Sequence, residues 1–200
     1  GTPFAFSVVN NGTIDANIAG RSITLNAPVT NNGTMNSGPG SVLVNSTFNP
    51  STGTVTGTGF QAPGTLDLAG GTWNFNAGTW NITGTLQNGT VNLGGGTLTF
   101  PALCSYARLS NLTINGNLPN FSGGLRWNNV TLNGTLTATG GGELRFEGNQ
   151  TLTGNFVANT TSTLTLTPFT AGTLTIASTA TVRGGNINIS DTSQCTGVPL

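Results

Sequence analysis

Glu143-Leu144-Arg145-Phe146-Glu147 is the only stretch of this chain that sets two carboxylates close together. In an extended strand alternate side chains share a face, so Glu143, Arg145 and Glu147 point one way and Leu144 and Phe146 the other. Glycoside hydrolysis needs two carboxyl groups facing each other across a sugar, and a lyase needs a base beside a charge clamp. Residues four apart in a strand have Cα atoms roughly 13 Å apart, and here an arginine stands between them. The expectation is a small surface ion-pair cluster rather than an acid–base pair. Asp15, Asp67 and Asp191 are scattered, whereas a calcium site needs several carboxylates together. The chain has neither His nor Lys, which removes the commonest general base, the commonest metal ligand and the Schiff-base residue. No catalytic residue, metal site or cofactor is expected.

Modification chemistry is better represented. Twelve Asn-x-(Ser/Thr) acceptor sequences occur, and six of them, at Asn11, Asn32, Asn88, Asn111, Asn129 and Asn149, stand two residues ahead of a recurring Thr. The others are Asn45, Asn81, Asn120, Asn133, Asn159 and Asn188. The six read either as an asparagine ladder, with amides bonding from one repeat to the next, or as a glycosylated face, and the two can coexist. Two cysteines, Cys104 and Cys195, suggest a disulfide if the chain is secreted.

The recurring phrase positions all of this. Thr–apolar–(Asn, Thr or Asp) begins at Thr13, Thr34, Thr54, Thr72, Thr90, Thr113, Thr131, Thr151 and Thr173, with steps of 21, 20, 18, 18, 23, 18, 20 and 22 residues. A steady period near 20 is the signature of a solenoid. Gly (31), Thr (37) and Asn (26) make up almost half the chain, and only ten residues are charged. Thr and β-branched residues favour strands, Gly and Asn favour the turns between them, and no window sustains a helical period. Net charge of zero leaves no basic stripe for nucleic acid, and no apolar run reaches the roughly 18 residues of a membrane span. No signal peptide is recognisable, and the initial Gly suggests a mature product or a piece of a longer polypeptide.

Strands this short and closely connected cannot all pair with their sequence neighbours. Pairing each with its equivalent one repeat later gives an all-β, parallel β-helix of about 20 residues per coil, roughly triangular, with nine or ten coils and a length of roughly 45 Å. One such domain is expected over 1–190, with 191–200 as an irregular tail or cap. Ile14, Met35, Val55, Trp73, Val91, Ile114, Leu132, Leu152 and Leu174 form the expected inner column, with Thr and Asn/Thr/Asp ladders outside. Phe4 to Val9 reads as an opening apolar strand. The least regular stretches are 36–40, 100–110 and the tail. Trp73, Phe75, Trp80 and Phe146 should lie inside, with Trp127 as the exception at the surface.

Cys104 and Cys195 are 91 residues apart, between four and five coils or about 20 Å along the rod. A disulfide needs Cα atoms within about 7 Å. Either the tail folds back along the rod, which is favoured, or each cysteine bonds another subunit, or both remain free.

Segments such as Asn11-Gly12-Thr13-Ile14, Asn31-Asn32-Gly33-Thr34 and Ala19-Gly20-Arg21-Ser22-Ile23-Thr24-Leu25 resemble the repeats of large secreted bacterial β-solenoids of the filamentous-haemagglutinin-like and autotransporter-passenger type. That resemblance implies an extracellular adhesive or structural role. With no capping helix at either end, the expectation is a non-catalytic, cell-surface rod stacking head to tail on copies of itself, possible glycans included, without nucleic-acid binding or membrane insertion. Alternatives are an adhesin stalk within a longer secreted protein, and a carbohydrate- or ice-binding face; Thr-x-Thr pairs occur only at Thr54/Thr56, Thr151/Thr153 and Thr173/Thr175 on the main ladder.

Overall fold

The computed structural model describes residues 6–193 and 195. Among them every regular element is a strand and every named strand pairing is parallel. The chain winds as a β-solenoid of about nine turns, each turn contributing one strand to each of three faces. The first face starts with Val8–Asn10, Val29–Asn31, Phe48–Asn49 and Thr65–Asp67, the second with Thr13–Asp15, Thr34–Ser37 and Thr54–Gly57, and the third with Ser22–Leu25, Ser41–Val44 and Phe60–Ala62.

In the middle turns the first two faces merge into single bent strands, Thr85–Asn92, Tyr106–Asn115 and Gly124–Asn133. Each bends at an asparagine in the left-handed region, Asn88 (φ 59°), Asn111 (φ 52°) and Asn129 (φ 51°). Asn tolerates that region better than most side chains, so three of the six recurring asparagines mark the corner itself. The bend resets the alternation, which allows Leu109 and Leu112, or Trp127 and Val130, all to face inward.

Columns one turn apart fill the interior. Val8, Val29, Phe48, Leu66, Leu86, Leu109, Trp127 and Phe146 are successive register partners on the first face. Phe48, Phe60, Trp73, Phe75 and Trp80 form one aromatic cluster, with Trp80 5.3 Å from Phe48, 5.2 Å from Phe60 and 4.8 Å from Trp73. Burying rings of this size supplies the large apolar area that so uncharged a chain needs, since each fully buried side chain is worth roughly 1.5–3 kcal/mol.

The inner column of the second face holds with two changes. Ile14–Met35–Val55 and Trp73–Val91–Ile114–Leu132 are ladders, but no ladder joins Val55 to Trp73 or Leu132 to Leu152. At the last step Leu152 pairs with Ile176 and Thr151 with Thr175, so Leu174 lies opposite Gln150 instead. The longer excursion between Pro168 and Thr173 shifts the repeat by two residues there. Ile14 and Leu174, in the outermost turns, are only partly buried.

Three other expectations need correction. Trp127 is buried, and its indole N–H donates to the Val130 carbonyl at 3.1 Å; it sits in the inward column of its strand. The irregular stretch expected over 100–110 ends early, because Tyr106–Asn115 is a strand, and Asn36 and Ser37 likewise belong to Thr34–Ser37. The Glu143 and Arg145 side chains are not at the surface: they are 0% and 3% exposed. Of the expected opening strand, Val8 and Val9 are in Val8–Asn10, while Phe4 and Ala5 lie outside the described residues.

Candidate functional site

Stacking at one residue per turn puts the outward-facing Arg108, Arg126 and Arg145 in register on the first face. Three guanidinium groups about 4.8 Å apart along a ladder repel one another unless carboxylates or other groups compensate them. The turns supply two carboxylates. Glu147 takes Arg108 in a fork, with Nε at 3.0 Å from both oxygens and Nη2 at 2.6 Å from Oε2. Its hydrogen bonds hold the Arg108 guanidinium above its already high ordinary pKa. Glu143 accepts from the Tyr106 hydroxyl at 2.7 Å and from Arg145 Nε at 3.4 Å.

Glu143 and Arg145 obey strand alternation by pointing outward, so their burial requires a cover. The cover is the tail. After the last described strand, Thr181–Ile189, the chain turns back along the first face, the Ser193 hydroxyl meets Arg145 Nη2, and Cys195 bonds Cys104. The two Cα atoms are 5.4 Å apart despite 91 residues of separation. Fold-back within one chain is therefore the arrangement found, and neither cysteine is free. Cys195 Sγ also lies 3.4 Å from Glu143 Oε2; a disulfide sulfur carries no hydrogen, so this is packing rather than a hydrogen bond. Burial of Tyr106, and then its bond to the Glu143 carboxylate, push the phenol up to about 12.

Arg126 is different. It stacks over the Phe169 ring at 4.0 Å and lies 5.9 Å from the Tyr106 ring centroid, yet its Nε is buried without a hydrogen-bond partner. Neither ion pair found among the described residues includes it. Arg145, by contrast, also lies 4.3 Å from the Tyr106 ring. As chemistry, the cluster holds both glutamates in ion pairs, one sealed from solvent, and leaves one cation uncompensated.

Sequence reasoning found Glu143, Arg145 and Glu147 but missed Tyr106, Arg108, Arg126, Phe169 and Ser193. A signal was present: Arg108, Arg126 and Arg145 follow one another at steps of 18 and 19 residues, one turn each.

The asparagines form ladders, as one of the two readings held. At the corner Asn111 donates to Asn88 at 3.3 Å and Asn129 to Asn111 at 3.1 Å; Asn32 donates to Asn11 at 2.9 Å. A second ladder runs from Asn133 to Asn115 (2.8 Å), to Asn92 (2.7 Å), to Asn74 (2.6 Å). Asp67 ends the corner series by accepting 3.2 Å bonds from Asn88 at both its oxygens, and Asp15 ends another by accepting from Asn36 at 2.8 Å. A carboxylate can only accept, so it fixes each amide above it with nitrogen toward the carboxylate and oxygen away. Burial pulls Asp67 upward, but bonds from Gln87, the Ala69 N–H and Asn88 outweigh it and leave the carboxyl below its ordinary value.

A third, buried amide pair went unforeseen: Asn10 donates to Asn31 at 2.7 Å and to the Thr34 carbonyl at 3.0 Å. Of the six recurring acceptor asparagines, Asn88 is partly buried and the other five are exposed. Asn11 and Asn149 each use the side-chain oxygen, accepting from Asn32 and from the Thr173 N–H. The broken steps and amide-filled second column leave no continuous Thr-x-Thr lattice on this face.

Searches of protein-family models, curated proteins and solved structures found no match to this chain.

Proposed function

We propose that this chain is a non-catalytic, extracellular structural protein whose β-solenoid stacks head to tail into a filament or surface rod. The observation that carries the reading is the state of the two terminal turns. Their described strands are bonded on one side only, and Phe6 (69% exposed), Ile176 (44%) and Ile189 (59%) stand uncovered there. The edges at opposite ends of a parallel ladder differ, one offering what the other lacks, so a second copy in the same orientation continues the ladder.

Register makes the contact specific. Phe6 lies two residues before Val8, in the column that Leu125, Leu144, Leu166 and Ile189 occupy further along. Continuing the first-face column across a junction sets Ile189 against Phe6, one strand spacing apart. This is a heterologous contact, which propagates as a filament when it does not close into a ring. An internal disulfide suits an oxidising compartment and supports a place outside the cytosol.

Glycosylation fits the ends of the asparagine ladders better than their middles. Attachment sites on adjacent turns stand only about 4.8 Å apart, too close for two glycans side by side. Asn11 and Asn149, whose amide nitrogens make no bond among the described residues, are the favoured acceptors.

The test is analytical ultracentrifugation of the native protein against an Ile176→Glu, Ile189→Glu variant. The native chain should form a concentration-dependent series of polymers and the variant should remain monomeric. Native chain that stays monomeric up to millimolar concentration would favour the second reading, a stalk segment whose ladder continues into further covalently joined polypeptide. Intact mass then reports any glycan directly.

A further inference from the structure

We infer that Arg126 is a binding site for a ligand bearing a single carboxylate, an assignment independent of how the rods assemble. The argument begins with charge. The arginines on either side of Arg126 have taken both glutamates: Arg108 holds Glu147 and Arg145 holds Glu143. Glu147 reaches past the turn of Arg126 to bond Arg108, and none of its hydrogen bonds goes to Arg126. What remains is one guanidinium between two others, with no carboxylate of its own among the described residues.

Geometry then selects the ligand. Phe169 covers a face of the guanidinium at 4.0 Å and Nε is buried, which leaves the edge between the two Nη groups as the direction of approach. A guanidinium edge presents paired N–H groups that match the two oxygens of a planar carboxylate. A cation–π stack also holds the group in place before the ligand arrives, so less side-chain freedom is lost on binding. The Phe169 ring lines an open cavity of about 360 Å³ whose other walls include Arg145, Pro168, Asp191 and Ser193. Room for a ring-sized body therefore lies beside Phe169, the ring on which Arg126 stacks, and Asp191 on the same cavity disfavours a second negative charge on the ligand.

The chain has five arginines, so their side-chain Nε–H signals can be followed one by one in a nitrogen-15 correlation spectrum. Sodium glucuronate is the probe, with sodium acetate, sodium sulfate and neutral glucose beside it. The Arg126 signal should move saturably with glucuronate, with half-effect at about 1 mM, while Arg21 and Arg183 stay in place. Acetate acting alone at Arg126 supports the carboxylate assignment and identifies a bare carboxylate as sufficient. Arg126→Lys should weaken the response at least tenfold as read by calorimetry, because the fork is lost while the charge is kept. The inference is overturned if the Arg126 signal does not move, if all five arginines move together as salt screening would make them, or if sulfate or glucose acts as strongly as glucuronate.

Discussion

Cutting the Cys104–Cys195 bond should weaken one part of the rod and leave the other untouched. A cross-link closing a loop of this length restricts the unfolded chain by about 4.6 kcal/mol in the chain-entropy estimate, and that figure is a ceiling. The ceiling applies in full only if every turn between the two cysteines unfolds together. Solenoid stability is a sum of turns and their nearest neighbours, so the effect belongs to the turns enclosed by the bond. Freeing the strap also exposes Glu143 and Arg145, which are covered only while it is in place. Native-state hydrogen exchange on the Cys104→Ser, Cys195→Ser variant is the assay. Backbone amides in Tyr106–Asn115, Gly124–Asn133 and Asn155–Pro168 should lose protection, by up to about three powers of ten. Amides in Val29–Asn31, Ser41–Val44 and Thr54–Gly57 should change little. Equal loss in both regions, or no loss in either, would refute the reasoning.

Tyr106 is the only tyrosine, so ultraviolet titration should show its ionisation only toward pH 12, falling toward 10 in the cysteine variant. Because its folded value is the higher one, the stability it contributes is complete below about pH 10 and is lost as pH rises through 12. Asp67 has the opposite sign: its folded value is depressed, so its contribution is present above about pH 4 and disappears as pH falls through that depressed value. Urea midpoints measured from pH 6 down to 2 should therefore fall more steeply for the native chain than for Asp67→Asn. Trp80→Phe removes an indole N–H that is buried without a partner, whereas Trp127→Phe strands the Val130 carbonyl. Denaturant titration should find the second costlier by about 1–3 kcal/mol. Gly78 has φ 92°, and a Cβ there would meet the Gly57 carbonyl oxygen of the preceding turn at 1.9 Å. Gly78→Ala should cost more than about 1 kcal/mol in the same titration, and an unchanged midpoint would contradict the close approach.

The fold could be read from sequence because one unit repeats: its alternation sets the inward side and its period sets the pairing partner. The same arithmetic limited where the disulfide could lie, since a bond across 91 residues is possible in a rod only if the tail returns along it. What the sequence did not reveal came from segments outside the repeat. Glu143 and Arg145 occupy outward positions and were expected in water, but the tail that covers them arrives from several turns away. Trp127 was misjudged because its polar neighbours were given more weight than its parity relative to Leu125. The buried Asn10–Asn31 pair resembles an ordinary turn doublet until two turns are placed one above the other. The arginine column could have been found by testing charged residues, as well as apolar ones, for the 18-to-20-residue step.

Negative-stain electron microscopy of the purified native protein tests the central claim most directly. Head-to-tail stacking predicts unbranched fibres one solenoid wide, with an axial repeat of about 48 Å set by ten first-face strands at the strand spacing. Isolated particles of that length at every concentration, or fibres in which the rods lie across the axis, would contradict it.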